Sequence, residues 1–65
     1  MLHLPQLEAH INHWNTLIEQ ELAEQHFNNA REAALEAASY FERQAEDHES
    51  QMFLATAFEI ERMQG

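Results

Sequence analysis

Apolar residues recur along the chain at alternating spacings of three and four, a period that predicts helices. Leu4, Leu7, Ile11, Trp14 and Ile18 make one stripe, widened by Leu17 and Leu22. Glu8, Asn12, Asn15, Glu19 and Gln20 fall on the opposite face. Pro5 suits the first turn of a helix, where its missing N–H is not needed. The pattern predicts a first helix over about residues 5–24. A second stripe follows in Phe27, Ala30, Ala34, Ala37 and Phe41, with Ala33 and Tyr40 on one flank and Leu35 and Ala38 on the other. A helix apolar on more than one face is sandwiched between neighbours. The stretch from Phe27 to Phe41 is therefore expected at the centre of the fold, on a second helix over about residues 29–46.

The break between these two helices is expected at residues 25–29, Gln-His-Phe-Asn-Asn; no Gly or Pro interrupts the chain there, so a continuous helix is the alternative. Asparagine side chains compete for backbone hydrogen bonds and favour caps. Asn28 or Asn29 is the expected N-cap, and Glu32, three residues after Asn29, gives a capping-box spacing. A second polar break runs from Ala45 to Ser50, where Asp47 or Ser50 can cap a new helix. Met52, Phe53, Leu54, Ala55, Ala57, Phe58, Ile60 and Met63 then predict a third helix over about residues 50–63. Nothing in that second break forbids helix, so one long helix reaching about Met63 is the alternative. The expected fold class is all-α: an antiparallel helical hairpin plus a shorter third helix, in one small domain over residues 1–65.

Length adds a constraint. A chain of 65 residues hides only about 60% of its unfolded surface and is marginal alone. Disulfides and thiolate metal sites are excluded by the absence of cysteine, which leaves association as the expected stabiliser. The expectation is a homodimer whose shared core includes Trp14, Ile18, Phe41 and Phe58. The start, MLHLPQ, has no basic segment followed by an apolar core and does not read as a signal peptide. No apolar run approaches the roughly 20 residues that span a bilayer. A soluble, cytoplasmic protein is expected.

Charge narrows the partners. Twelve acids face three bases, Arg31, Arg43 and Arg62, for a net charge of -9, and lysine is absent. Direct nucleic-acid binding draws its affinity from Lys and Arg on phosphates, and anionic membranes attract the same residues. Neither partner suits this chain; a protein with a basic surface does. Glu32 with Glu36, and Glu42 with Glu46, are like-charge i,i+4 pairs that form an expected acidic surface. Arg43 is placed to relieve Asp47, and Arg62 to relieve Glu59.

Trp14 and Leu17, followed by Phe27, Ala30 and Ala37, resemble the helices of a degenerate tetratricopeptide repeat. That family carries W-x2-L-G-x2-Y on its first helix and A-x3-F on its second. Here Ile18 stands for the glycine, Glu21 for the tyrosine, Ala34 for the large aromatic and Glu42 for the closing proline. Leu54-Ala55 followed by Phe58 is similar to the first-helix motif again, with alanine for glycine. The resemblance implies helices packed side by side with small residues at the crossing. Such stacks need three or more units, and one and a half again points to self-association.

Candidate chemistry changes little. His10 and His13 lie three apart on one helix, and His3, His26 and His48 complete the histidines. Three imidazoles can hold zinc, but no Glu-x-x-His or His-Glu-x-x-His pattern is present, and solvated or interface histidines are expected, with His13 half-buried beside Trp14. Ser39, Ser50, Thr16 and Thr56 have no nucleophile context. Gly65 is the sole glycine, so there is no phosphate-cradling loop. Catalysis, cofactors and metals are not expected. Aromatics and Met are enriched at interface centres, which makes Trp14, Ile18, Tyr40, Phe41, Met52, Phe53 and Phe58 the candidate binding or dimer-interface residues. The expected function is a small acidic protein-binding module or regulator. The alternatives are an acidic nucleic-acid mimic that inhibits a basic protein, of the kind found in phage and mobile elements, and a purely structural oligomerisation unit.

Overall fold

A computed structural model describes residues 2–64. They form three helices, α1 (Leu4–Ala23), α2 (Phe27–Arg43) and α3 (Asp47–Gln64), and no strand occurs among the described residues. The fold is all-helical, and the alternative of one continuous second helix is not adopted. Two expectations are corrected. α3 has 18 residues against 17 in α2, so it is not the shorter helix. α2 also begins at Phe27 and stops at Arg43, earlier at both ends than the asparagine and polar-break signals suggest.

The reason lies in the turns, which are twins. Gln25 and Ala45 sit in the left-handed region, with φ of 61° and 60°. After α1, the His26 N–H bonds to the Glu21 carbonyl at 2.8 Å and the Gln25 N–H to the Leu22 carbonyl at 3.0 Å. After α2, the Glu46 N–H bonds to the Phe41 carbonyl at 2.8 Å and the Ala45 N–H to the Glu42 carbonyl at 3.1 Å. Both are Schellman closures, which satisfy the orphan carbonyls of a helix end. Each leaves the chain ready to restart one residue later, so Asn28 and Asn29 fall inside the first turn of α2 instead of capping it. Neither left-handed position holds glycine. A Cβ there costs roughly 1–2 kcal/mol, partly offset by the greater unfolded-state entropy of glycine. Ala45→Gly is expected to stabilise the fold by about 0.5–1 kcal/mol and raise the melting temperature by several degrees. Thermal circular dichroism checks this; an unchanged or lower midpoint would contradict the left-handed turn.

α2 is the central helix and packs on both neighbours, more extensively on α3. Ala30, Ala34 and Ala37 are completely buried, with Ala33 and Ala38 nearly so. Their small side chains let the flanking helices approach closely, and larger groups close the core from either side: Ile18 of α1, Phe41 of α2, and Phe53, Ala57 and Ile60 of α3. Phe41 and Phe53 stack, with ring centroids 5.4 Å apart and planes 14° from parallel. Ser50, expected as a cap, instead donates its hydroxyl to the Ala38 carbonyl at 2.8 Å and ties α3 to α2. The acids Asp47 and Glu49 in the first turn of α3 complement its helix dipole. The Leu2 N–H donates to a Glu46 carboxylate oxygen at 3.1 Å, and the Gln64 amide donates to Asn28 Oδ1 at 3.1 Å. The Cα positions span 36 × 17 × 12 Å. No described helix is long and apolar enough to cross a membrane.

Candidate functional site

The seven candidate interface residues separate by depth. Ile18, Phe41 and Phe53 are buried within the single chain, so their packing is completed by its own helices and they present nothing to a second copy. The expected shared core of Trp14, Ile18, Phe41 and Phe58 is thereby divided between the interior and the surface. Met52 and Phe58 stand on the surface of α3, 49% and 56% exposed. Trp14 and Tyr40 are half-buried against the edge of the core.

Trp14 and Tyr40 meet across the α1–α2 seam, with ring centroids 6.5 Å apart. His10, one turn before Trp14, fixes the tyrosine: its Nε2 lies 3.1 Å from the Tyr40 hydroxyl, with the rings 5.0 Å apart. His13, expected to be the half-buried imidazole, is exposed and meets the Trp14 ring edge-on. The tyrosine ring also packs edge-on against Phe41, which anchors it to the core. The pair is thus held rigidly on one side and open on the other.

In front of it lies an open hollow of about 450 Å³, lined by Trp14, Leu35, Glu36, Ser39, Tyr40 and Arg43. A second hollow, about 230 Å³, continues along the same seam between Leu17 and Glu21 of α1 and Asn29, Glu32 and Ala33 of α2. Glu36 borders both, so the two lie next to each other along the seam, and together they are called the groove below. Trp14, Leu17, Ala33, Leu35 and Tyr40 give it apolar surface, and Ser39 and Asn29 give it neutral polar surface. Its rim is acidic, from Glu21, Glu32 and Glu36, with Arg43 at one end.

The expected acidic surface is only partly assembled. Glu32, Glu36 and Glu42 are exposed on α2. Glu46 lies past the helix end, half-buried, with its carboxylate engaged by the Leu2 N–H. The helix stop at Arg43 removes the expected Glu42–Glu46 helical pair and the helical spacing of Arg43 with Asp47. Arg43 lines the groove instead. The expected Arg62–Glu59 pair forms on α3.

One cluster has no counterpart in the sequence analysis. His26 Nδ1 lies 3.1 Å from a Glu21 carboxylate oxygen and 3.5 Å from one of Glu24, and Asn29 Nδ2 donates to the same Glu21 oxygen at 3.2 Å. Glu21, Glu24 and His26 offer donor atoms for a cation within 4.8 Å of one another. Glu24 and His26 are exposed, and the contacts already present account for the cluster as a tie across the α1–α2 turn. The left-handed Gln25 swings His26 back over the preceding turn, a geometry that helical spacing does not reveal. Comparisons with protein-family models, curated proteins and solved structures gave no match for this chain.

Proposed function

We propose that the protein is a small acidic protein-binding module or regulator, without catalytic activity, that docks a partner in the groove between α1 and α2. The observation that carries this reading is the Trp14–Tyr40 pair. The core closes without either ring's outer face, yet Tyr40 is held at an open hollow of about 450 Å³ by His10 and Phe41, with the Trp14 ring beside it. Rigid aromatics on a concave surface are the groups that dominate binding energy at protein interfaces. The contacts from Leu2 to Glu46 and from Asn28 to Gln64 support an antiparallel order of successive helices. The buried alanines at the α2 crossings support the tetratricopeptide-like reading of that order.

Self-association remains part of the proposal, on a different surface. Phe58, Met52 and Met63 are exposed on α3 and supply apolar surface for a homodimer seam. The nucleic-acid-mimic alternative is less favoured, because Glu46 is withdrawn from the acidic row and Trp14, Leu17, Leu35 and Tyr40 bring apolar surface into the groove.

A capture experiment tests the groove. Tagged wild type and the double variant Trp14→Ala, Tyr40→Ala are exposed to lysate of the source cells, washed at low and high salt, and the retained proteins compared. A single near-stoichiometric partner that survives high salt and disappears with the double variant is the expected result. A partner retained equally by both proteins would place binding elsewhere.

A further inference from the structure

The chemistry of the groove also constrains what lies in it, an inference that rests on the docking role proposed above. Glu32 and Glu36 stand one helical turn apart on the rim, both exposed. Ion pairs among the described residues join His26 to Glu21 and Glu24, and Arg62 to Glu59; neither rim glutamate has a cation. Two carboxylates at this spacing repel one another on their helix, and a cation set between them relieves both. Beside them Trp14, Leu17, Ala33, Leu35 and Tyr40 contribute apolar surface to the groove. The occupant must therefore present apolar groups flanked by positive charge.

A second copy of this chain does not meet that description. It has three basic residues and no lysine. Arg62 is paired with Glu59 on α3, Arg43 lines the groove itself, and Arg31 is half-buried, with its Nε enclosed and unpartnered among the described residues. α1 carries no arginine, α3 carries one, and the two on α2 belong to the helix that builds the groove. Two copies at a net charge of -9 each also repel.

The walls are helices, which leaves no sheet edge to receive an extended strand. A third helix laid along two others buries an apolar stripe at i, i+3, i+4 and i+7. The groove follows α2 from Asn29 to Arg43, and a helix matching that stretch has about 15 residues, roughly 22 Å. We propose that the groove's occupant is a basic amphipathic helix of another protein, which sets its apolar stripe on Trp14 and Tyr40 and its Lys or Arg side chains on Glu32 and Glu36.

Trp14 is the sole tryptophan, so its emission reports on the groove directly. Three tryptophan-free synthetic helices with the same leucine stripe, flanked by lysine, glutamine or glutamate, are titrated against the full chain. The lysine helix is expected to shift Trp14 emission and to bind at least about tenfold more tightly than the glutamine helix, with the advantage shrinking as salt rises. Glu32→Gln with Glu36→Gln is expected to erase that advantage. The control Glu8→Gln with Glu59→Gln, which makes the same change in net charge away from the groove, is expected to keep it. Equal binding of the lysine and glutamine helices would overturn the basic occupant while leaving an apolar docking groove. A lysine advantage untouched by the Glu32 and Glu36 changes would overturn it as unspecific attraction. A Trp14 shift driven by protein concentration alone would identify a second copy as the occupant and overturn it. No response of Trp14 to any helix would overturn the groove reading and the inference together.

Discussion

Phe41→Ala is expected to lower the melting temperature by roughly 15–30 °C, taking a loss of about 3–5 kcal/mol for a buried phenylalanine and several degrees per kcal/mol for a domain of this size. Phe41 is completely buried. It stacks on Phe53, receives the edge of Tyr40 and occupies the α2–α3 crossing, where the surrounding alanines are too small to collapse into the space it would leave. At about 0.05–0.15 kcal/mol per residue the whole fold holds on the order of 3–10 kcal/mol, so this one ring accounts for much of it. Phe58→Ala, at a surface position, is expected to change stability by no more than about 0.5 kcal/mol in the monomer. Thermal denaturation of the two variants at low and high protein concentration checks both values. A large, concentration-dependent loss for Phe58→Ala would show that a second copy buries this ring. A small loss for Phe41→Ala would contradict a core completed within one chain.

That contrast marks the limit of what periodicity reveals. The three/four spacing identifies the helices, and the density of alanine from Ala30 to Ala38 identifies α2 as the one packed on both sides; the structure buries all five alanines of that stretch. Spacing tells which face of a helix is apolar, but it does not tell which neighbour covers that face. Ile18, Phe41, Phe53 and Phe58 look alike in the sequence, yet three are interior and one is exposed. The helix ends differ from expectation for another reason. Asparagines and polar runs are cap signals, whereas both helices stop at left-handed Gln25 and Ala45, residue types with no preference for that conformation. These turns are closed by backbone hydrogen bonds, which almost any residue type can make, so they leave no mark in the sequence. The groove is legible only in part. Trp14, Tyr40, Glu32 and Glu36 each stand out in the sequence, but their assembly depends on the α1–α2 crossing, and the inclusion of Leu17, Leu35 and Arg43 follows from that crossing alone.

Reversing the rim charge has the second large expected effect. Glu32→Lys with Glu36→Lys places two cations where a basic helix needs two anions, and like charges brought together at an interface cost several kcal/mol. Binding of the lysine-flanked helix is expected to weaken by about 100-fold or more, since each 1.4 kcal/mol is tenfold. Both positions are exposed on α2, lysine and glutamate have similar helix propensity, and the pair stays like-charged at i,i+4 as before, so the fold is expected to tolerate the change. A circular dichroism melt near the wild-type value confirms that the variant is folded before binding is measured.

The most direct test is to exchange the charges on both sides. The double reversal, Glu32→Lys with Glu36→Lys, is titrated with the glutamate-flanked helix while Trp14 emission is followed. The expected result is that this helix, which wild type is expected to reject, now shifts Trp14 and binds within about tenfold of the original wild-type and lysine-helix pair. Failure of the swapped pair to recover binding, with the variant folded and the wild-type pair intact, would contradict recognition of a helix by the acidic rim of the α1–α2 groove.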